Sequence, residues 1–241
     1  MAIFYFLTFI IEIIGTIGGF GSSVLFVPMA NYFLEFHAVL GILSLLHIFS
    51  NLSKIALFHK GFEWGIFIKI GIPSVIFVIV GAYLSQFIDS SIATVLLGLF
   101  MVSFSLFLII RPNFTFKTTV LNSFFGGGLS GFLAGWLGTG GAIRGLALAS
   151  FNVNKNTFLA TSALIDFMVD GSRFLMYLNQ GYITKAIFLQ APILLIISII
   201  GSYIGKVLLN KISQKTFKKI ALWMIFWVGL YSLIAFFYPL K

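Results

Sequence analysis

The chain has no cysteine in 241 residues, which excludes disulfides and thiol chemistry. Charge is scarce as well: charged residues make up 9% of the sequence, and only six are acidic. Three histidines without a cysteine give no spacing that reads as a zinc site, so no metal and no cofactor is expected. A phosphate-binding loop of the nucleotide-hydrolase type is missing, which argues against ATP-driven pumping within this chain. Gly-x-Ser-x-Gly is absent too. The Ser130-Gly131 step has no plausible base one turn away, so an intramembrane enzyme lacks a nucleophile–base pair. The opening Met-Ala-Ile-Phe-Tyr has no positive stretch before its apolar run and reads as a membrane segment rather than a cleaved signal.

What fills the chain instead is apolar. Hydrophobic residues make up 60% of it, 30 of them phenylalanine, and mean hydropathy is +1.10. No soluble fold of this length buries that much apolar surface, so the composition specifies a polytopic membrane protein. The formal charge of +9 would point to nucleic acid in a soluble domain. Here most basic residues lie in short connections between apolar segments, where they set orientation in the bilayer, and no nucleic-acid partner is expected. Apolar segments run at 2–17, 22–34, 37–58, 64–87 and 91–110, then at 119–137, 142–152, 157–179, 183–208 and 216–238. The stretches 22–34 and 142–152 are too short to cross ~30 Å of hydrocarbon at ~1.5 Å per residue, and read as half-helices.

The two halves repeat. At a constant offset of 120, Gly15 meets Gly135, Gly18 meets Gly138, Gly21 meets Gly141, Gly61 meets Gly181, Gly81 meets Gly201 and Tyr83 meets Tyr203. With five segments per half, Lys60, Arg111, Lys117, Lys155, Lys206, Lys211, Lys215, Lys218 and Lys219 share one face, and Glu35, Asp89, Lys185 and Lys241 lie opposite. Four segments per half would split the cations between faces, so the positive-inside rule favours five. Five is odd, so the halves are inverted and both termini face away from the cytoplasm. The expected fold is therefore an all-α polytopic membrane protein of two inverted repeats, residues 1–112 and 113–241. Each repeat has about five helical segments, with a broken helix or hairpin at its glycine motif.

Chemistry concentrates at three places. The first is the pair of glycine breaks, Gly18, Gly19, Gly21 and Ser22 in one half and Gly138, Thr139, Gly140 and Gly141 in the other. Broken backbone at membrane depth is tolerated where it is buried in protein or lines a cavity. The helix start behind such a break attracts anions, and Arg144 adds a planar fork of donors suited to oxyanions. Close helix packing alone would also explain the glycines. The second is Ser162, Asp166, Asp170, Arg173 and Tyr177, spaced 4, 4, 3 and 4 along one helical face. Two carboxylates and an arginine in an apolar span belong in the bundle interior, either as a structural ion pair or as a site where substrate competes for Arg173. Asp166 and Asp170 are then candidate carriers of a coupling proton. The third is His47, Asn51 and Lys54, with Ser50 beside them. His47 is a candidate proton carrier or a satisfied packing residue, and Lys54, near a helix end, can snorkel to the surface. Glu12 either balances a buried cation or lies near the headgroups.

Gly138-Thr139-Gly140-Gly141-Ala142-Ile143-Arg144-Gly145, Ala160 through Asp166, and Arg173 with Tyr177 and Gly181 resemble the TauE/SafE family of sulfite exporters, also called the 4-toluene sulfonate uptake permease family. Gly18 through Gly21 with Val27-Pro28, and His59-Lys60-Gly61, extend the resemblance over almost the whole chain. Many relatives carry a proline after the second glycine run, where this chain has Ala142. The resemblance implies transport of small sulfur-containing anions such as sulfite, thiosulfate, sulfonates or sulfoacetate across the inner membrane. With the residue reading, the expectation is a secondary transporter, proton-coupled, in which one half rocks against the other. A passive anion channel and a non-transporting membrane scaffold or partner subunit are the alternatives.

Overall fold

A computed structural model describes the chain except for Gly19, Phe20, His59, Lys60, Ile88, Asp89, Asn152 and residues 113–118 and 238–241. Gly19, expected in the first glycine break, thus lies outside the described residues, as do Lys60, Asp89, Lys117 and Lys241 of the charge argument. The described residues form helices joined by turns, and none of them is in a strand. In chain order the helices are α1 (Ala2–Gly18), α2 (Ser23–Ala30), α3 (Phe36–Phe58), α4 (Trp64–Leu84) and α5 (Ser90–Ile110). They continue with α6 (Val120–Leu137), α7 (Gly141–Ser150), α8 (Lys155–Asn179), α9 (Ala191–Asn210, after a short turn at Lys185–Phe188) and α10 (Gln214–Phe237). Four of them, α3, α4, α6 and α9, are long and apolar enough to cross a membrane, with shorter apolar helices beside them. The half-helices α2 and α7, of 8 and 10 residues, reach only part-way across.

Proline shapes the matching long helices differently. Pro73 has no N–H for the carbonyl of Lys69, and Phe67–Gly71 widen into a π turn without ending α4. Pro192 stands at the first turn of α9, and there the chain breaks after Lys185–Phe188 instead of bulging.

The closest packing crosses between halves. On α6, Gly127, Gly131 and Gly135 form a stripe at every fourth residue. A Cβ on these three would run into the backbone of Ile70, Ser74 and Val78 on α4, while one on Gly81 of α4 would strike Phe132. The matching pair is α1 with α9, where Gly201 and Gly205 lie against Glu12 and Thr16. In both pairs residue numbers rise together, so the partners run parallel. Helices at matching places in the two halves cross antiparallel instead. In α3 and α8, Gly41 lies against Tyr182, His47 against Asp170 and Gly61 against Asn156. In α5 and α10, Gly98 meets Leu233 while Val102 meets Gly229. Antiparallel counterparts are the relation an inverted duplication requires.

Three apolar clusters follow from this pairing. One joins α1, α2, the first half of α3, the end of α8 and α9. Another joins α4, α6, the end of α3 and the first half of α8. The third packs α2 and α7 against α5, α6 and α10. Helices α3 and α8 each begin in one cluster and end in the other, so they form a cross at the centre.

Candidate functional site

The polar residues of the interior gather where α3 and α8 cross and where the glycine turns end. Three of the six carboxylates, Glu12, Asp166 and Asp170, lie there with three cations, Lys54, Arg144 and Arg173, paired one to one. Arg144 and Arg173 are each 1% exposed, so neither reaches bulk water, and each buried cation needs a partner.

The second glycine turn sets the first pair. Gly138 takes φ +75°, a left-handed conformation that ends α6 and favours glycine. Gly140 lies so close to α6 that its carbonyl accepts the Ser130 hydroxyl at 2.9 Å, and Gly141 opens α7. Three residues on, Arg144 donates its Nε to Ser162 Oγ at 3.1 Å and its NH2 to Asp166. Asp166, expected as a carboxylate beyond the Asp170–Arg173 pair, is instead the counterion of Arg144. The Thr139 hydroxyl is buried in this turn with no protein partner among the described residues.

At the crossing, Asp170 binds Arg173 through Oδ1 at 2.8 Å, one turn along the same helix. Its Oδ2 accepts Asn51 Nδ2 at 2.5 Å and lies 3.3 Å from His47 Nδ1, both across on α3. Arg173 also donates to the carbonyls of Ala134 at 3.1 Å and Gly138 at 3.3 Å, while its Nε has no partner among the described residues. Tyr177, expected to bind substrate, instead spends its hydroxyl on the Gly135 carbonyl at 2.5 Å and fastens α8 to α6.

His47 ties the two glycine turns together. Its Nε2 lies 3.1 Å from Ser22 Oγ, and Ser22 donates to Glu12 Oε2 at 2.7 Å. Its Nδ1 lies 3.2 Å from Arg173 NH2. Since the Ser22 hydrogen goes to Glu12, neutral His47 donates from Nε2 and accepts from Arg173 at Nδ1. Gly21, at φ +86°, shapes the first turn so that Ser22 lies under α3, and Gly18 ends α1 just before it.

Of the two settings left open for Glu12, the structure shows the buried one, against a cation. Its carboxylate receives Lys54 Nζ at 2.8 Å, the Ser202 hydroxyl at 3.2 Å and the Ser50 hydroxyl, and is fully buried. Lys54, expected to snorkel, points inward and also donates to Ser50 at 2.6 Å. A signal was available: Thr8, Glu12 and Thr16 recur every fourth residue, all fully buried on one face of α1. Among the described residues no group of His, Asp and Glu has the makings of a metal site.

The profile of the sulfite exporter TauE/SafE family matches residues 4–232. The chain belongs to that family. It is also 28% identical over 227 residues to a protein described as a probable membrane transporter from Methanocaldococcus jannaschii, covering 86% of this chain and 84% of that one. No solved structure matches it. As a TauE/SafE member built of apolar helices, the chain is a multi-pass membrane transporter.

Proposed function

We propose that this TauE/SafE protein is a secondary transporter that moves a small sulfur-containing anion together with a proton, through the crossing of α3 and α8. One observation carries the reading: among the described residues, His47 alone touches the first glycine turn, through Ser22, and the Asp170–Arg173 pair that rests on the second. With His47 neutral the buried charges balance, three against three. A proton on Nδ1 turns that atom from acceptor to donor. His47 then binds Asp170 and can no longer accept from Arg173 NH2. The freed guanidinium edge, beside the Arg173 Nε that has no partner among the described residues, becomes the acceptor's place for an oxyanion. The added proton and the added anion cancel, so the loaded centre is neutral, as a low-dielectric interior demands. Arg144 with Ser162, and the start of α7 with Thr139, would complete the anion's shell.

The packing favours a different division of moving parts from half against half. Such rocking would tear the glycine contacts of α4 with α6 and of α1 with α9. Those two cross-half pairs are the natural rigid bodies, and the α3–α8 crossing is the joint between them.

Flux into proteoliposomes tests this. Sulfite or sulfonate uptake is expected to be driven uphill by an imposed pH gradient, which a passive channel cannot do. Arg173→Ala and Arg144→Ala should lose it, and His47→Gln should leave a residual flux insensitive to pH. Wild-type uptake by both arginine variants would remove the site, and an unchanged pH profile in His47→Gln would remove the proton carrier.

A further inference from the structure

Inverted halves make the two membrane faces comparable, and here the faces differ. On the face shared by Lys155 and Ile212, a cleft of about 450 Å³ opens among α4, α6 and the start of α8. Glu63, Ile66, Lys69, Ser123, Asn154 and Thr157 contribute to its wall. Lys69 belongs to the π turn of α4, so the bulge above Pro73 is what presents its charge here. Below the wall, Thr161 accepts the Glu63 N–H at 3.1 Å and is fully buried. The next residue is Ser162, which holds Arg144. Along α8, Thr161 thus lies one turn beyond the wall residue Thr157 and directly before the residue that holds Arg144.

On the opposite face the matching positions are filled. At the offset of 120, Glu63 corresponds to Ile183, Asn154 to Leu34 and Thr157 to His37, and Ile183 and Leu34 are packed into an apolar cluster. Tyr182 packs at a tilt against His37, with ring centroids 4.5 Å apart, and against Tyr177 at 5.4 Å. Its backbone carbonyl lies against Gly41, where a Cβ would not fit. Here the chain breaks before Pro192, at the start of α9, where α4 bulges above Pro73.

We infer that the cleft is the vestibule through which the anionic substrate reaches the core from the lysine-bearing face, with Lys69 its first charge and Thr161 its floor. The His37–Tyr182 contact is the closed door on the other face. This rests on the anion-transport reading and adds the route, the gate residues and the side that is open.

The natural absence of cysteine supplies the test, because each introduced thiol is then the only one in the chain. Thr157→Cys and Ile183→Cys proteins in proteoliposomes are exposed to a membrane-impermeant methanethiosulfonate carrying a sulfonate. Thr157→Cys should label at least about tenfold faster than Ile183→Cys, whose thiol is reached only by local opening. Labelled Thr157→Cys should lose anion flux. Equal labelling rates, or full flux after complete labelling, overturn the vestibule. Lys69→Gln provides a second reading that leaves the core untouched: KM should rise about tenfold with kcat unchanged, as expected of a steering charge. An unchanged KM counts against the route. If unlabelled proteins carry no anion at all, the transport reading fails, while the labelling rates still report which face is open.

Discussion

At the residue scale, Glu12 and Lys54 show what a lone charge in an apolar helix requires. Neither has a helical neighbour of opposite sign, and the carboxylate is satisfied by residues from two other helices, α3 and α9. Removing one member of a buried pair strands the other, at a cost of about 3–5 kcal/mol. Glu12→Gln is therefore expected to lower the melting temperature in detergent sharply, and Lys54→Met added to it should recover most of the loss. A double variant no more stable than Glu12→Gln would show that the pair is not what holds these helices. Arg173 was legible because spacing alone put it on one face with Asp166 and Asp170. The Glu12–Lys54 contact was not, since no local period relates residues on α1 and α3. The sequence also hid the allocation of partners: Arg144 was read as a bare anion fork, and the fold gives it Asp166.

At the scale of elements, the glycines of α6 do two kinds of work. Gly138 bends the backbone, while Gly127, Gly131 and Gly135 remove side chains so that α4 can lie against α6. In a bilayer, close backbone approach is itself the source of association. Gly131→Val should destabilise the protein by about 3 kcal/mol or more, since overpacking a rigid contact costs ~1–3 kcal/mol and here the obstacle is the Ser74 backbone. Gly126→Ala, whose new methyl would meet only Ala147 at an ordinary 3.5 Å, is the matched control and should melt like the natural chain. Similar melting of both variants would refute the stripe as a packing surface. Segment limits were legible to within about four residues, because apolar runs and Gly or Pro punctuation are local, except at 183–208, where the break before Pro192 delays the helix to Ala191. The π turn at Phe67–Gly71 was not, because it depends on how α4 absorbs Pro73.

At the scale of the whole molecule, the bodies proposed to move are the cross-half pairs α1 with α9 and α4 with α6. A disulfide within a body should be harmless, and one across the closed face should not. Phe77→Cys with Gly128→Cys, whose side chains would touch between α4 and α6, is expected to leave anion flux intact when oxidised. His37→Cys with Tyr182→Cys should abolish flux on oxidation and regain it with reductant. Loss of flux on oxidising the Phe77→Cys, Gly128→Cys pair would return the motion to half against half. That the chain is all-helical and polytopic was readable from its apolar segments, while the 120-residue offset and charge parity supply the expectation of inverted halves. Which helix packs on which was not readable, because glycine stripes say that something comes close without saying what.

The cross-half pairing also imposes an order on synthesis. Glu12 enters the membrane with the first helix, and Ser50 on α3, 38 residues later, brings Lys54 with it. Ser202, its last partner, lies 190 residues downstream. Asp170 and Arg173 arrive together on one helix and neutralise each other on insertion. Each half of the nascent chain thus carries one charge that must wait for a later helix: Glu12 until α3 emerges with Lys54, and Arg144 until α8 emerges with Asp166, 22 residues on.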